Sequence, residues 1–110
     1  MFADLSGKVA LVTGGGQGLG LGIVLKMAEQ GADIAIADRS EENAAGAARQ
    51  VEALGRKAYT ARMDVTDKDS VNAGVAIITS AAGQIDILVN NAGIAGAPGS
   101  TGTTFRDIDW

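Results

Sequence analysis

Gly14, Gly18 and Gly20 stand directly behind an unbroken apolar run, Val9 to Val12, in the stretch Lys8-Val-Ala-Leu-Val-Thr-Gly-Gly-Gly-Gln-Gly-Leu-Gly. The chemistry open to such a stretch is anion binding. Glycine lets a backbone turn sharply and approach a ligand closely. The first N–H groups of a following helix have no partner inside it, so the junction offers hydrogen-bond donors and the positive end of a dipole. A phosphate suits that field, and a nucleotide diphosphate is the expected ligand. The spacing is not the common Gly-x-Gly-x-x-Gly fingerprint, because the position three beyond Gly18 is Leu21; it is Thr13-Gly14-x-x-x-Gly18-x-Gly20. A glycine turn with no ligand would carry the same residues, so the choice depends on what stands farther along.

Asp38 is the second group able to do chemistry. It lies 18 residues beyond Gly20, about the distance at which an acid closing the next strand accepts hydrogen bonds from the ribose hydroxyls of an adenosine. Its structural alternative is a helix cap, for which Ser40 is better placed. Asp64 can accept a hydrogen bond from an adenine amino group, or be an acid ahead of a helix, a job for which Asp67 is equally available. Asn90 and Asn91 are either turn formers, since Asn tolerates left-handed backbone and bonds locally, or polar groups facing a ligand. The chain holds no Cys and no His, which removes disulfides, thiolate nucleophiles, imidazole bases and the usual transition-metal sites.

The elements that must position these residues alternate along the chain. Val9 to Val12 reads as a strand buried on both faces of a parallel sheet. Leu19, Ile23 and Met27 recur four apart with Val24 beside them, which predicts an amphipathic helix ending near Gln30-Gly31. Asp33 to Asp38 is a second short apolar strand. Ser40 caps a second helix, with Glu41 and Glu42 in its first turn, an apolar stripe of Ala44, Ala48, Val51 and Leu54, and Gly55 at its end. Lys57 to Met63 is more polar and reads as an edge strand. Asp64-Val65-Thr66-Asp67 leads into a third helix carrying Val71, Val75 and Ile78, with Gly83 beyond its end, and Ile85 to Val89 is the fourth strand. Gly96, Pro98, Gly99 and Gly102 then mark an irregular loop reaching Phe105. This succession predicts an α/β fold, a doubly wound parallel sheet of strand order 3-2-1-4 with ligands at the carboxyl ends of its strands, where the order reverses between the first and fourth.

At 110 residues, 46% hydrophobic and 20% charged, the chain has the length of one globular domain, residues 1–110. A net charge of -4 with no basic run argues against nucleic acid or an anionic membrane as partner. No apolar run approaches the roughly 20 residues of a membrane span, and Met-Phe-Ala-Asp-Leu-Ser-Gly-Lys does not read as a signal peptide. A cytoplasmic protein is expected.

Taken together, Thr13-Gly14-Gly15-Gly16-Gln17-Gly18-Leu19-Gly20, the strand-end Asp38, Asp64-Val65 and Asn90-Asn91-Ala92-Gly93 resemble the short-chain dehydrogenase/reductase family, NAD(P)-dependent oxidoreductases with an extended Rossmann fold. The resemblance covers essentially the whole chain. It implies that the loop from Gly14 to Gly20, with Gln17, Gly18 and Leu19 in it, holds the pyrophosphate. It implies further that Asp38 holds the adenosine ribose, that Asp64 and Val65 border the adenine, and that Asn90 to Gly93, Ala92 included, lie beside the nicotinamide ribose. Gln17 is neutral where NADP-using relatives often carry a basic residue, which with Asp38 favours NAD over NADP; Arg39 can soften this by pairing with the extra phosphate.

The departure from the family pattern is large. Relatives carry an Asn, a substrate-binding Ser and a Tyr-x-x-x-Lys pair on later elements, and none of these can be placed here: the only tyrosine is Tyr59, with Met63 four residues on. The chain resembles the cofactor half without the catalytic half, truncated relative to the family. It is expected to meet its small-molecule substrate only in a full-length context. Its fourth strand, left as an outer strand, is expected to drive self-association or pairing with a complementary C-terminal segment. Two other functions are compatible with parts of the pattern. One is a stand-alone NAD-binding or assembly module without turnover. The other is an S-adenosylmethionine-dependent transferase, against which stand Thr13 where such domains usually carry an acid, and Asn-Asn-Ala-Gly, which they lack.

Overall fold

The computed structural model describes residues 4–91. Four strands and three helices alternate: β1 Val9–Thr13, α1 Gly18–Glu29, β2 Asp33–Asp38, α2 Glu41–Ala53, β3 Ala58–Arg62, α3 Lys68–Ala82 and β4 Ile87–Asn90. The strands form one parallel sheet of order β3-β2-β1-β4, as the doubly wound reading requires. The register sets Thr13 opposite both Ala37 and Asn90, and Asp38 opposite Arg62, so the polar strand ends share one edge of the sheet.

Because side chains on a strand alternate faces, the apolar run of β1 supplies two cores. Ala10 and Val12 join Ile34 and Ile36 beneath α1 and α2, packed on Val24, Ala28, Ala44, Ala47 and Val51. Leu11 faces the other way with Ala35 and Ala37 and packs with Ala61, Met63, Val71 and Ile78 beneath α3. Full burial of each large aliphatic side chain stabilises the fold by about 1.5–3 kcal/mol, and the continuous burial of β1 on both faces makes it the centre of the molecule.

The helix ends follow from local chemistry. The Ser40 hydroxyl accepts from Asn43 N–H, with Glu41 and Glu42 in the first turn of α2. Asp67 accepts from Asp69 and Ser70 N–H at the start of α3, which closes at Gly83. Asp67, not Asp64, is thus the acid that caps this helix.

Three expectations are corrected. The buried face of α1 is Gly20, Val24 and Ala28, one residue on from Leu19, Ile23 and Met27; Ile23 and Met27 are half-buried and Leu19 is 67% exposed. In α2 the buried stripe is Ala44, Ala47 and Val51, while Leu54 lies past the helix end and is exposed. The fourth strand starts at Ile87, not Ile85: Asp86 N–H still donates to Val9 O at 2.8 Å, but its carboxylate takes the place of a ladder carbonyl by accepting Val9 N–H at 2.8 Å. The loop expected around Gly96, Pro98, Gly99 and Gly102 up to Phe105 lies outside the described residues. Among the described residues no helix is long and apolar enough to cross a membrane.

Candidate functional site

The carboxyl end of β1 runs straight into the glycine loop. Gly14 N–H donates to Ala37 O at 2.7 Å, which extends the β1–β2 pairing by one residue before the chain turns away. Gln17 is the N-cap of α1 in extended backbone, and its side chain makes no capping hydrogen bond; the first turn carries no acid. The intrahelical ladder begins with Leu21 N–H to Gln17 O at 3.2 Å. The N–H groups of Gly18, Leu19 and Gly20 precede it and have no acceptor within the helix. A side chain at Gly18 would meet nothing within 4 Å, so this helix end opens outward. Gln17, Gly18 and Leu19 are all exposed around it. The starts of α2 and α3, by contrast, are capped by side chains and carry acids in the first turn.

Gly20 faces the other way. A Cβ built on it would overlap the Gly14 carbonyl oxygen and stand 2.7 Å from Asn91 Nδ2. Its absence lets α1 start against the end of β1. Asn91 is buried and donates from Nδ2 to that same Gly14 oxygen at 3.3 Å, while Thr13 Oγ1 donates to Asn90 Oδ1 at 3.1 Å. Both asparagines therefore bind the end of β4 to the end of β1 and to the loop. They stand where the strand order reverses.

Asp38 closes β2 beside the loop. Its Oδ2 accepts Gly16 N–H at 3.0 Å and its Oδ1 accepts Ser40 N–H at 2.9 Å, so one carboxylate joins the loop to the cap of α2. Each carboxylate oxygen can accept a further hydrogen bond. Sequence reasoning placed Gly16 in the pyrophosphate loop but gave it no role of its own. A Cβ there would stand 2.7 Å from Asp38 Oδ2 and 2.7 Å from Asn43 Cβ, and only the run of three glycines hinted at such crowding. Arg39 projects into solvent next to Asp38.

Asp64 follows β3, whose end is tied to β2 by Met63 N–H donating to Asp38 O at 3.0 Å. The Thr66 hydroxyl, at 2.6 Å from Oδ1, and then the Thr66 N–H hold the Asp64 carboxyl below the usual carboxylate range, with Arg39 and Arg62 adding smaller pulls in the same direction. Val65 is half-buried against the core beneath α3. The loop, Asp38, Arg39, Asp64, Val65 and Asn90 thus gather along one edge of the sheet; Ala92 and Gly93 lie outside the described residues.

Known proteins share this fold. The profile of the short chain dehydrogenase family fits residues 8–109. Gluconate 5-dehydrogenase from Gluconobacter oxydans is 49% identical over 91 residues, which make up 83% of this chain and 36% of that protein. The crystal structure of NAD+-bound xylitol dehydrogenase superposes with a TM-score of 0.80 at 39% identity, over 86% of this chain and 36% of that one. L-Sorbose reductase from Gluconobacter frateurii, solved with NADPH and L-sorbose, gives 0.79 at 36% identity, over 89% and 40%. The chain spans 36% to 40% of the length of these relatives. A profile that fits from the residue before β1 to nearly the end of the chain, on a sheet of order β3-β2-β1-β4, establishes that this chain belongs to the short-chain dehydrogenase/reductase family.

Proposed function

We propose that this chain is the cofactor-binding part of an oxidoreductase that moves a hydride between NAD(H) and an alcohol or carbonyl group of a small molecule. The observation that carries this reading is the start of α1, which has neither a capping side chain nor an acid in its first turn and opens outward at the switch point of the sheet. Such a helix end favours a diphosphate. Asp38 stands beside it with lone pairs for the ribose hydroxyls, Asp64 and Val65 are assigned to the adenine side, and Asn90 to the nicotinamide ribose, an assignment that the family resemblance extends to Ala92 and Gly93, outside the described residues. NAD, when bound, supplies the hydride acceptor. The residues of this chain hold and orient it. A cytoplasmic location is part of this proposal.

NAD is proposed over NADP because the extra phosphate would set a dianion against the Asp38 carboxylate. A hydrogen bond to a charged group contributes about 1.5–3 kcal/mol, roughly ten- to hundredfold in affinity. Calorimetric titration is expected to show NAD bound more tightly by that factor, with Arg39 limiting the difference; equal or tighter binding of NADP would remove Asp38 from the ribose.

The chain by itself is expected not to turn over. Transfer of hydride to or from a carbon bearing oxygen needs a positioned proton donor or acceptor, which contributes about 10²- to 10⁴-fold. The one tyrosine, Tyr59, lies on β3 and packs half-buried beneath α3 with Met63 buried four residues on. Cofactor absorbance followed with xylitol, sorbose or gluconate, the compounds in the relatives' names, should stay flat with the purified 110-residue chain; turnover at an enzymatic rate would refute the expectation.

A further inference from the structure

Asp38 is engaged twice by the protein itself. Gly16 N–H reaches Oδ2 at 3.0 Å and Ser40 N–H reaches Oδ1 at 2.9 Å. Gly16 is buried, and it has no space for a side chain between Asp38 and Asn43 of the first turn of α2. The middle of the glycine loop is therefore seated on the end of β2 and on α2 at once, and the carboxylate is the polar bond in that seat. From this geometry we infer that Asp38 is a positioning residue for the diphosphate subsite as well as a ligand for ribose, so that the two subsites are coupled through one carboxylate. The inference builds on the proposed cofactor site and extends it to a group that Asp38 does not touch.

The physical consequence has a sign that a ribose contact alone cannot produce. If Asp38 only received ribose hydroxyls, removing its negative charge beside an anion subsite would leave phosphate binding unchanged or strengthen it. If Asp38 holds the loop, removing it frees Gly16 N–H, lets the loop depart from the geometry in which its amides converge, and weakens phosphate binding. A ligand that keeps the phosphates and lacks the ribose hydroxyls separates the two cases. When ADP binds, hydroxyl contact and loop seating draw on the same carboxylate oxygens, and ordering one side lowers the cost of ordering the other.

The test is calorimetric titration of the 110-residue chain and its Asp38→Ala variant with ADP and with 2′,3′-dideoxy-ADP, accompanied by amide hydrogen exchange. Asp38→Ala is expected to weaken dideoxy-ADP binding about tenfold, the effect of one charge-assisted hydrogen bond. Gly16 should lose amide protection in the ligand-free variant while Val9 to Val12 keep theirs, which shows that the sheet is intact. Gly16→Ala leaves the carboxylate in the sequence and lifts the loop off it. It should weaken dideoxy-ADP to a similar degree and also shrink the preference for ADP over dideoxy-ADP. Dideoxy-ADP binding to Asp38→Ala that equals or exceeds that of the unaltered chain, or unchanged Gly16 protection, overturns the inference. Failure of the unaltered chain to bind ADP or NAD at all would instead refute the proposed cofactor site, and the exchange of Gly16 would still decide whether Asp38 seats the loop.

Discussion

At the scale of single residues, glycines that look equivalent in the sequence do different work. Gly20 sits in the motif as a potential phosphate donor, yet its side-chain direction points into the Gly14 carbonyl and Asn91. Gly20→Ala is expected to destabilise the fold by about 1–3 kcal/mol, the usual cost of overpacking, because a backbone carbonyl at the end of the central strand cannot swing aside as a flexible side chain would. Gly22, two residues farther along the same helix, is exposed with nothing within 4 Å of a Cβ. Gly22→Ala should stabilise by roughly 0.5–1 kcal/mol through helix propensity alone. Chemical denaturation of both variants checks the pair, and equal effects would refute the packing role of Gly20. Spacing marked the loop as a turn between strand and helix, and its reading as a phosphate cradle drew on Asp38, Asp64 and the asparagines farther along. It could not distinguish the crowded side of the loop from the open one, because that depends on where β4 and α2 arrive from distant parts of the chain.

At the scale of elements, β4 is attached to β1 through a side chain as well as through the ladder. Asp86 accepts Val9 N–H, and Gln84 Nε2 donates to the same oxygen at 2.6 Å and to Gly7 O at 3.1 Å. The Val9 amide above all holds the Asp86 carboxyl below the usual range; burial opposes it, and Gln84 and then Lys8 add smaller pulls downward. A depressed folded value means that the carboxylate contributes stability above the unfolded value of about 3.9, and that this contribution is lost as pH falls through the folded one. Asp86→Asn should therefore be less stable than the parent at neutral pH, with the difference closing as pH drops below about 3.9. Urea unfolding across that range checks it, and a difference that does not change with pH would discard the role of the charge. The same stretch shows where sequence reasoning stopped. Ile85 to Val89 reads as a strand by hydropathy, and nothing in the pattern announces that the Asp86 side chain replaces a backbone acceptor. In α1 the four-residue period was correct and its phase was off by one. Leu19, Ile23 and Met27 outweigh Gly20, Val24 and Ala28 in hydropathy, but a helix that starts against a strand end needs its smallest residues on the inner face. Strand order, by contrast, followed from alternating elements and right-handed crossovers without any knowledge of contacts.

For the molecule as a whole, the two faces of the sheet are covered unequally. Among the described residues α1 and α2 lie over one face and α3 over the other, where Tyr59, Ile85 and Leu88 are half-buried. Among the described residues β4 pairs with β1 on one side only, and all four of its residues are half-buried, whereas β1 is buried throughout. A strand with open N–H and C=O groups, flanked by incompletely covered apolar side chains, is a template for pairing with another chain. Net charge of -4 on 110 residues offers little repulsion against it. We therefore expect the chain to self-associate through β4, or to recruit a complementary C-terminal segment, at roughly tens of micromolar, where unpaired strand edges typically associate. Sedimentation velocity at two concentrations with amide exchange measured along Ile87 to Asn90 tests this directly. Association should grow with concentration and bring protection of those amides with it, since the hydrogen bonds formed are those of a ladder. A species that stays monomeric, with the β4 amides already protected at low concentration, would mean that the edge is closed within the chain and would overturn the expectation.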